Sequence, residues 1–250
     1  MKLLASDFDN TLLFQNKMRK TDIDAIHHFQ EKGHLFGLCT GRTLEGVLRP
    51  SRPYHLHYDF YILLSGALIL NKNLDVIFEK KVPIEIAKSI YEYTDQQYMS
   101  IVYNNEVYRT KNDPHFTLGH QIDSFDIFED DEVSAFSIHF QPNEIEKATL
   151  WTKRISKMYG QWIDVHQNNE HLDIVAKGCS KGSGIHLIQD YFQLSDQQMH
   201  CIGDSWNDLP MLEVVEHSYT FTYAPENVQN QARYIVKDLA ECIEMIENKK

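Results

Sequence analysis

The chain has 250 residues, 42% hydrophobic and 24% charged, with a formal net charge of −12 and a pI near 5.5. That length allows one large domain or two modest ones. So acidic a surface excludes general nucleic-acid and anionic-membrane binders, although a local cationic or metal-bearing site still suits a small phosphorylated ligand.

The first dozen residues set the frame. Leu3, Leu4 and Ala5 run into Asp7-Phe8-Asp9-Asn10-Thr11, which reads as a buried strand delivering two carboxylates at its C-terminal end. A period of two puts Asp7 and Asp9 on one side while strand geometry persists. Residues 21–31 read as an amphipathic helix with Thr21 as N-cap and Gly33 as stop. The apolar run 35–39 follows and ends in Thr40-Gly41-Arg42. Strand, helix, strand implies parallel pairing, so both strands end at the sheet edge where open α/β folds bind ligands.

Residues 59–64 read as a third strand, ending at Ser65-Gly66, and residues 68–70 with 76–79 as a hairpin. A helix is expected over 84–97. The grammar then changes to hairpins: strands at 100–103 and 106–110 around Asn104-Asn105, an alternating strand at 133–140, a helix at 142–159, and strands at 162–166 and 172–175. This α+β module reads as an insertion at 81–176 between two halves of a parallel-sheet domain, 1–80 and 177–250. From Gly178 the α/β rhythm resumes. A helix opens at Ser180-Lys181-Gly182, and a strand at 199–202 runs into Gly203-Asp204-Ser205-Trp206-Asn207-Asp208. A helix at 209–215, strands at 219–222 and 234–236, and helices at 226–232 and 238–247 complete the expected tail.

The residues at strand ends form a chemically coherent set. Asp7, Asp9 and Asp204 offer hard oxygen ligands for Mg²⁺. Thr40 supplies a hydroxyl and Gly41 an unshielded backbone N–H, both suited to phosphate oxygens. Lys181 places a point charge at a helix start. Asn207 donates to an oxygen, and Asp208 holds the lysine or a metal-bound water. Such a set serves phosphoryl transfer, where catalysis is mostly positioning and charge stabilisation. Asp7 is the expected nucleophile and Asp9 the expected proton donor and acceptor.

At these residues the chain resembles the haloacid dehalogenase-like (HAD) hydrolase superfamily. Asp7-Phe8-Asp9-Asn10-Thr11, Thr40, Lys181 and Gly203-Asp204 to Asp208 match its four motifs in order. Thr40-Gly41-Arg42 and Ser180-Lys181-Gly182 resemble its Cof-type, type IIB subgroup. The resemblance implies an α/β fold: a Rossmann-like parallel core with helices on both faces, and an inserted α+β cap of the C2B type at 81–176. It also implies Mg²⁺ held by Asp7, the Asp9 backbone carbonyl and Asp204. Phosphate contacts would come from the Phe8 backbone, Thr40, Gly41, Lys181 and Asn207. Arg42 is a candidate substrate contact, and Arg109, Lys111, His115 and His120 are candidates in the cap. The expected activity is hydrolysis of a small phosphorylated metabolite, a sugar phosphate or nucleotide-like compound, through an aspartyl-phosphate. A phosphomutase of the same fold and a non-catalytic phosphate sensor are the alternatives. Asn10 departs from the family's usual Gly, Trp206 is bulky inside the fourth motif, and Thr222-Tyr223-Ala224-Pro225-Glu226 replaces a Gly-Asn-Ala segment.

Asp7 and Asp9 interrupt any N-terminal signal-like run, and the near-apolar stretch 60–70 is too short to cross a bilayer. The four cysteines form no C-x-x-C pair. The expectation is a cytoplasmic monomer or small homo-oligomer with buried free thiols and neither a nucleic-acid nor a membrane partner.

Overall fold

The opening apolar run forms β1 (Leu3–Ser6), every residue of it buried. It lies inside an eight-stranded sheet of the computed structural model, which describes residues 1–111, 119–129 and 131–248. The chain continues through α1 (Lys20–Glu31), β2 (Leu35–Cys39), α2 (Leu44–Ser51), β3 (Phe60–Leu63), β4 (Leu68–Asn71) and β5 (Val76–Glu79). Then come β6 (Val82–Pro83), α3 (Ile84–Tyr93), β7 (Met99–Tyr103), β8 (Glu106–Arg109) and β9 (His120–Gln121). Next are β10 (Glu132–Val133), β11 (Ala135–His139), α4 (Ile145–Tyr159), β12 (Ile163–Asn168) and β13 (His171–Ala176). The last stretch comprises α5 (Lys181–Phe192), β14 (Met199–Ile202), α6 (Leu209–Val214), β15 (His217–Phe221), α7 (Glu226–Gln231), β16 (Tyr234–Val236) and α8 (Leu239–Asn248). Two compact units result: Met1–Phe78 with Ser180–Lys250, and Glu79–Cys179.

In the first unit the strand order is β16-β15-β14-β1-β2-β3-β4-β5, parallel from β16 to β3 and antiparallel between β3 and β4. Alternation along β1 decides what each face meets. Leu3 and Ala5 join a core with Ile185 and Ile188 of α5 and Met211 and Leu212 of α6. On the other face α1 and α8 pack together against the sheet. Ile26 and Phe29 of α1 are fully buried; each contributes roughly 1.5–3 kcal/mol by leaving water. Helices on both faces of a largely parallel sheet make this an α/β, Rossmann-like core, as the motifs imply.

The second unit holds a six-stranded sheet of order β12-β13-β11-β7-β8-β9, antiparallel apart from the β8–β9 pair, and a short β10–β6 ladder. The Asn104-Asn105 turn takes φ of 49° and 63° at its two central residues, the left-handed pair that a tight hairpin needs. α3 buries Ile84, Ala87 and Ile90, and α4 buries Ala148 and Ile155.

Several elements differ from expectation for local reasons. Thr21 is not the N-cap of α1; Arg19 is, without a side-chain bond, and Asp22 turns inward to accept from the Ala240 N–H at 3.1 Å. The helix expected to reach residue 97 stops at Tyr93, because the Thr94 hydroxyl bonds back to the Ile90 carbonyl and Asp95 and Gln96 turn left-handed. The strand expected over 133–140 is broken at Ser134, whose N–H goes to Val102 and whose hydroxyl goes to Glu79. α2 has no counterpart in the periodicity. Gly46 and Pro50 lower its intrinsic propensity, and it forms on the Thr43 side chain, which accepts from Gly46 N at 3.2 Å. All four cysteines are free and buried. Among the described residues no helix is long and apolar enough to cross a membrane.

Candidate active site

Asp7 follows β1 directly and prolongs its pairing, donating its N–H to the Ile202 carbonyl of β14 at 2.9 Å. Counting from Leu3 and Ala5, the period of two turns its side chain to the α5 face of the sheet. Lys181 is the first residue of α5, after Ser180, which closes a reciprocal capping box with Ser183. The lysine is 1% exposed, and its Nζ lies 2.6 Å from Asp7 Oδ1 and 2.5 Å from Asp208 Oδ1. One buried ammonium thus serves two buried carboxylates that approach it from different strand ends.

The loop after β14 is shaped around Asp208. Its Oδ2 accepts from the N–H groups of Asp204 and Ser205, both at 2.9 Å. A Cβ on Gly203 would run into the Asp208 carboxylate, so only glycine lets this loop fold so tightly over its own acid. Asp204 Oδ1 accepts from the Thr11 hydroxyl at 3.0 Å, which gives the threonine of the first motif a structural task. Ligand oxygens of Asp7, Asp204 and Asp208 all lie within 4.8 Å of one another.

The electrostatics follow from this crowding. Burial, and then the Asp208 charge, push the Asp7 carboxyl well above the usual carboxylate range, against the pull of Lys181. Asp204 is pushed up to about 7 by burial and then by Asp208, with the Thr11 hydrogen bond working the other way. For the Lys181 ammonium burial acts downward, but Asp208 and Asp7 outweigh it and hold it well above its ordinary value. Three carboxylates against one ammonium leave surplus negative charge that a buried site disfavours. Hard oxygen donors with uncompensated charge are what a small divalent cation such as Mg²⁺ takes as ligands, so the donor set fits one.

Thr40 follows β2, buried, with its N–H on the Ile62 carbonyl and its own Oγ1 accepting from Arg42 N at 3.2 Å. Asp9 is placed differently from Asp7. Arg42 grips its carboxylate with both arms, Nε to Oδ2 at 2.7 Å and Nη2 to Oδ1 at 2.6 Å. The guanidinium is itself fixed by Nη1 on the Gly46 carbonyl at 2.8 Å and lies over the Phe8 ring. The side-chain cluster therefore consists of Asp7, Asp204 and Asp208, with the Asp9 carboxylate committed to Arg42. The Phe8 side chain is fully buried and its carbonyl accepts from Leu12 and Leu13. Gly41 and Asn207 sit half-buried on the loops after β2 and β14.

The cap candidates all belong to the second unit. Arg109 is half-buried on β8, Lys111 is exposed beyond it, and His120 is exposed on β9 with Nε2 3.5 Å from Glu106; His115 lies outside the described residues. Sequence reading missed the Arg42–Asp9 pair and the Tyr223 hydroxyl, which donates to the Asn10 carbonyl at 2.6 Å. The only sequence signal for Tyr223 was its place in a segment that departs from the family pattern.

Comparison with known proteins bears on the fold and the family. A candidate phosphatase of Buchnera aphidicola is 28% identical over 225 residues, covering 85% of this chain and 81% of the relative. A haloacid dehalogenase-like hydrolase from B. subtilis superposes with a TM-score of 0.86 at 19% identity, over 100% of both chains. A subclass IIB sugar phosphatase of the same superfamily does so with a TM-score of 0.82 at 20% identity, over 99% of this chain and 98% of its own. The family profile itself matches residues 4–241, and with nearly the whole chain so accounted for, the protein belongs to the haloacid dehalogenase-like hydrolases.

Proposed function

We propose that the protein is a Mg²⁺-dependent phosphatase acting on a small phosphorylated metabolite, a sugar phosphate or nucleotide-like compound, through an aspartyl-phosphate on Asp7. The observation that carries this reading is the buried Lys181 ammonium shared by Asp7 and Asp208 beside Asp204. Such a cluster holds a carboxylate at a strand end, with cationic help and room for a divalent ion. The phosphatase name of the Buchnera relative and the sugar phosphatase among the structural neighbours support the substrate class.

In this scheme Asp9 enters in its acid form, with one of its oxygens freed from the Arg42 grip; a carboxylate oxygen of Asp7 attacks phosphorus and the ester oxygen leaves, taking that proton. Water then attacks the acyl phosphate and gives its proton back to Asp9, which restores the Asp7 carboxylate and releases phosphate. Lys181 orients Asp7 and offsets phosphate charge, while Thr40, Gly41, Asn207 and the Phe8 backbone N–H hold phosphate oxygens. Mg²⁺, held by Asp7, Asp204 and the Asp9 carbonyl, would neutralise charge on the transferring group. Asp208 fixes Lys181 and the loop that presents Asp204. Arg42 grips the Asp9 carboxylate with both arms and so sets where it stands.

The test is a broad phosphoester panel assayed for phosphate release with Mg²⁺, wild type beside Asp7→Asn. Hydrolysis of at least one member, lost by at least about a thousandfold in Asp7→Asn, is expected. No release from any member would sink the hydrolase reading, and hydrolysis surviving in Asp7→Asn would sink the nucleophile.

A further inference from the structure

We propose that Tyr223 is a positioning residue for proton transfer: its hydroxyl fixes the Asn10 peptide and with it the turn that carries Asp9. The inference rests on the role given to Asp9 above and extends it to a residue outside the four motifs.

The turn after Asp9 is closed by the Leu12 and Leu13 N–H groups on the Phe8 carbonyl and by the Thr11 hydroxyl on Asp204, and the Asn10 carbonyl ties it to a distant loop. Asn10 adopts φ 56°, a left-handed conformation that asparagine tolerates better than most residues. Its N–H donates to the Leu13 carbonyl at 2.9 Å. Its carbonyl accepts from the Tyr223 hydroxyl at 2.6 Å, across a sequence separation of 213 residues. A carbonyl cannot donate, so the hydroxyl must, and the backbone N–H and C=O of Asn10 are thereby both engaged. The phenol is itself well anchored although the residue is 47% exposed. Its ring stacks on Phe221 at the end of β15, centroids 4.8 Å apart and planes 11° from parallel, and meets Phe14 edge-on at 6.2 Å. Phe221 is fully buried, so Tyr223 ties the loop after β15 to the segment after Asp9. Arg42 orients the Asp9 carboxylate; Tyr223 orients the backbone next to it. Two departures from the family pattern, Asn10 and Tyr223, are thus partners in one hydrogen bond.

A proton donor matters in proportion to how badly the leaving group needs the proton. An alkoxide leaves poorly without one, whereas 4-nitrophenolate leaves unaided. Tyr223→Phe keeps the ring and removes only the hydroxyl. It is expected to lower kcat/KM for an alkyl phosphate taken from the substrate panel, which reports the step that expels the leaving group, about three- to tenfold. For 4-nitrophenyl phosphate kcat/KM should change less than about twofold, with the melting temperature unchanged. Equal losses of kcat/KM on both substrates, or no change on either, would each overturn the proposal. Asp9→Asn, measured in parallel, separates the two layers; hydrolysis of the acyl phosphate, where Asp9 takes the water proton, is common to both substrates and enters kcat but not kcat/KM. If Asp9→Asn lowers kcat/KM for the alkyl substrate selectively and Tyr223→Phe does not, only the Tyr223 proposal fails. If Asp9→Asn lowers kcat/KM equally on both, the role of Asp9 as proton donor fails and the Tyr223 proposal falls with it.

Discussion

Replacing Lys181 by Met removes the cation that Asp7 and Asp208 share while keeping most of the side-chain volume. The lysine is 1% exposed and its partners' side chains are 7% and 0% exposed, so solvent cannot take its place. Taking one partner from a buried ion pair typically costs about 3–5 kcal/mol, because a charge is left uncompensated. Here the lower end applies. Asp208 keeps its two backbone N–H donors, and Asp7, already pushed upward by burial and Asp208, escapes by taking a proton. A loss of about 3 kcal/mol corresponds to a drop in melting temperature of roughly 6–12 °C for a chain of this size. The assay is thermal or urea unfolding in chelator, then with about 10 mM Mg²⁺. A cation bound only by the folded cluster stabilises by mass action, and it should recover more for the variant than for wild type, since the variant's carboxylates lack their internal counter-charge. A loss under about 1 kcal/mol in chelator, or equal Mg²⁺ effects on both proteins, would refute this account of the cluster.

Asp22→Asn should stabilise the protein near neutrality. Burial pushes Asp22 up to about 6 from 3.8, against the Ala240 N–H. The folded state therefore binds the proton more tightly than the unfolded chain, and stability present below pH 4 is lost as pH rises toward 6. The variant escapes that loss, by at most about 3 kcal/mol; unfolding at pH 7.5 should show a gain that is much smaller at pH 4.5, and a variant less stable than wild type at pH 7.5 would contradict it. Arg42→Lys keeps the charge but not the two-armed grip on Asp9. With side chains 34% and 46% exposed, that pair contributes under about 1 kcal/mol to folding, so steady-state assays should show kcat falling about tenfold while a thermal shift stays within about 2 °C.

Much of the fold can be read from local pattern. Buried runs such as Leu3–Ser6 and Met199–Ile202 announce strands because a parallel sheet covered on both faces needs apolar side chains on both sides. Asn104-Asn105 announces its hairpin because the turn demands left-handed residues. α2 was not legible, because Gly46 and Pro50 disguise a helix that one threonine cap and its surroundings support.

The candidate site divides along the same line. Sequence alone determined that Asp7, Thr40, Lys181 and Asp204 stand at strand ends or a helix start, since those positions follow from where apolar side-chain patterns with periods of two and 3.6 residues begin and end. Tertiary structure alone decided which groups touch. Lys181 chooses Asp7 and Asp208 across 174 and 27 residues, Arg42 takes Asp9 across 33, and Tyr223 reaches Asn10 across 213. No local pattern encodes such pairs. They arise when sheet order brings distant loops to one edge, where burial leaves each charge and each peptide with few partners to choose from.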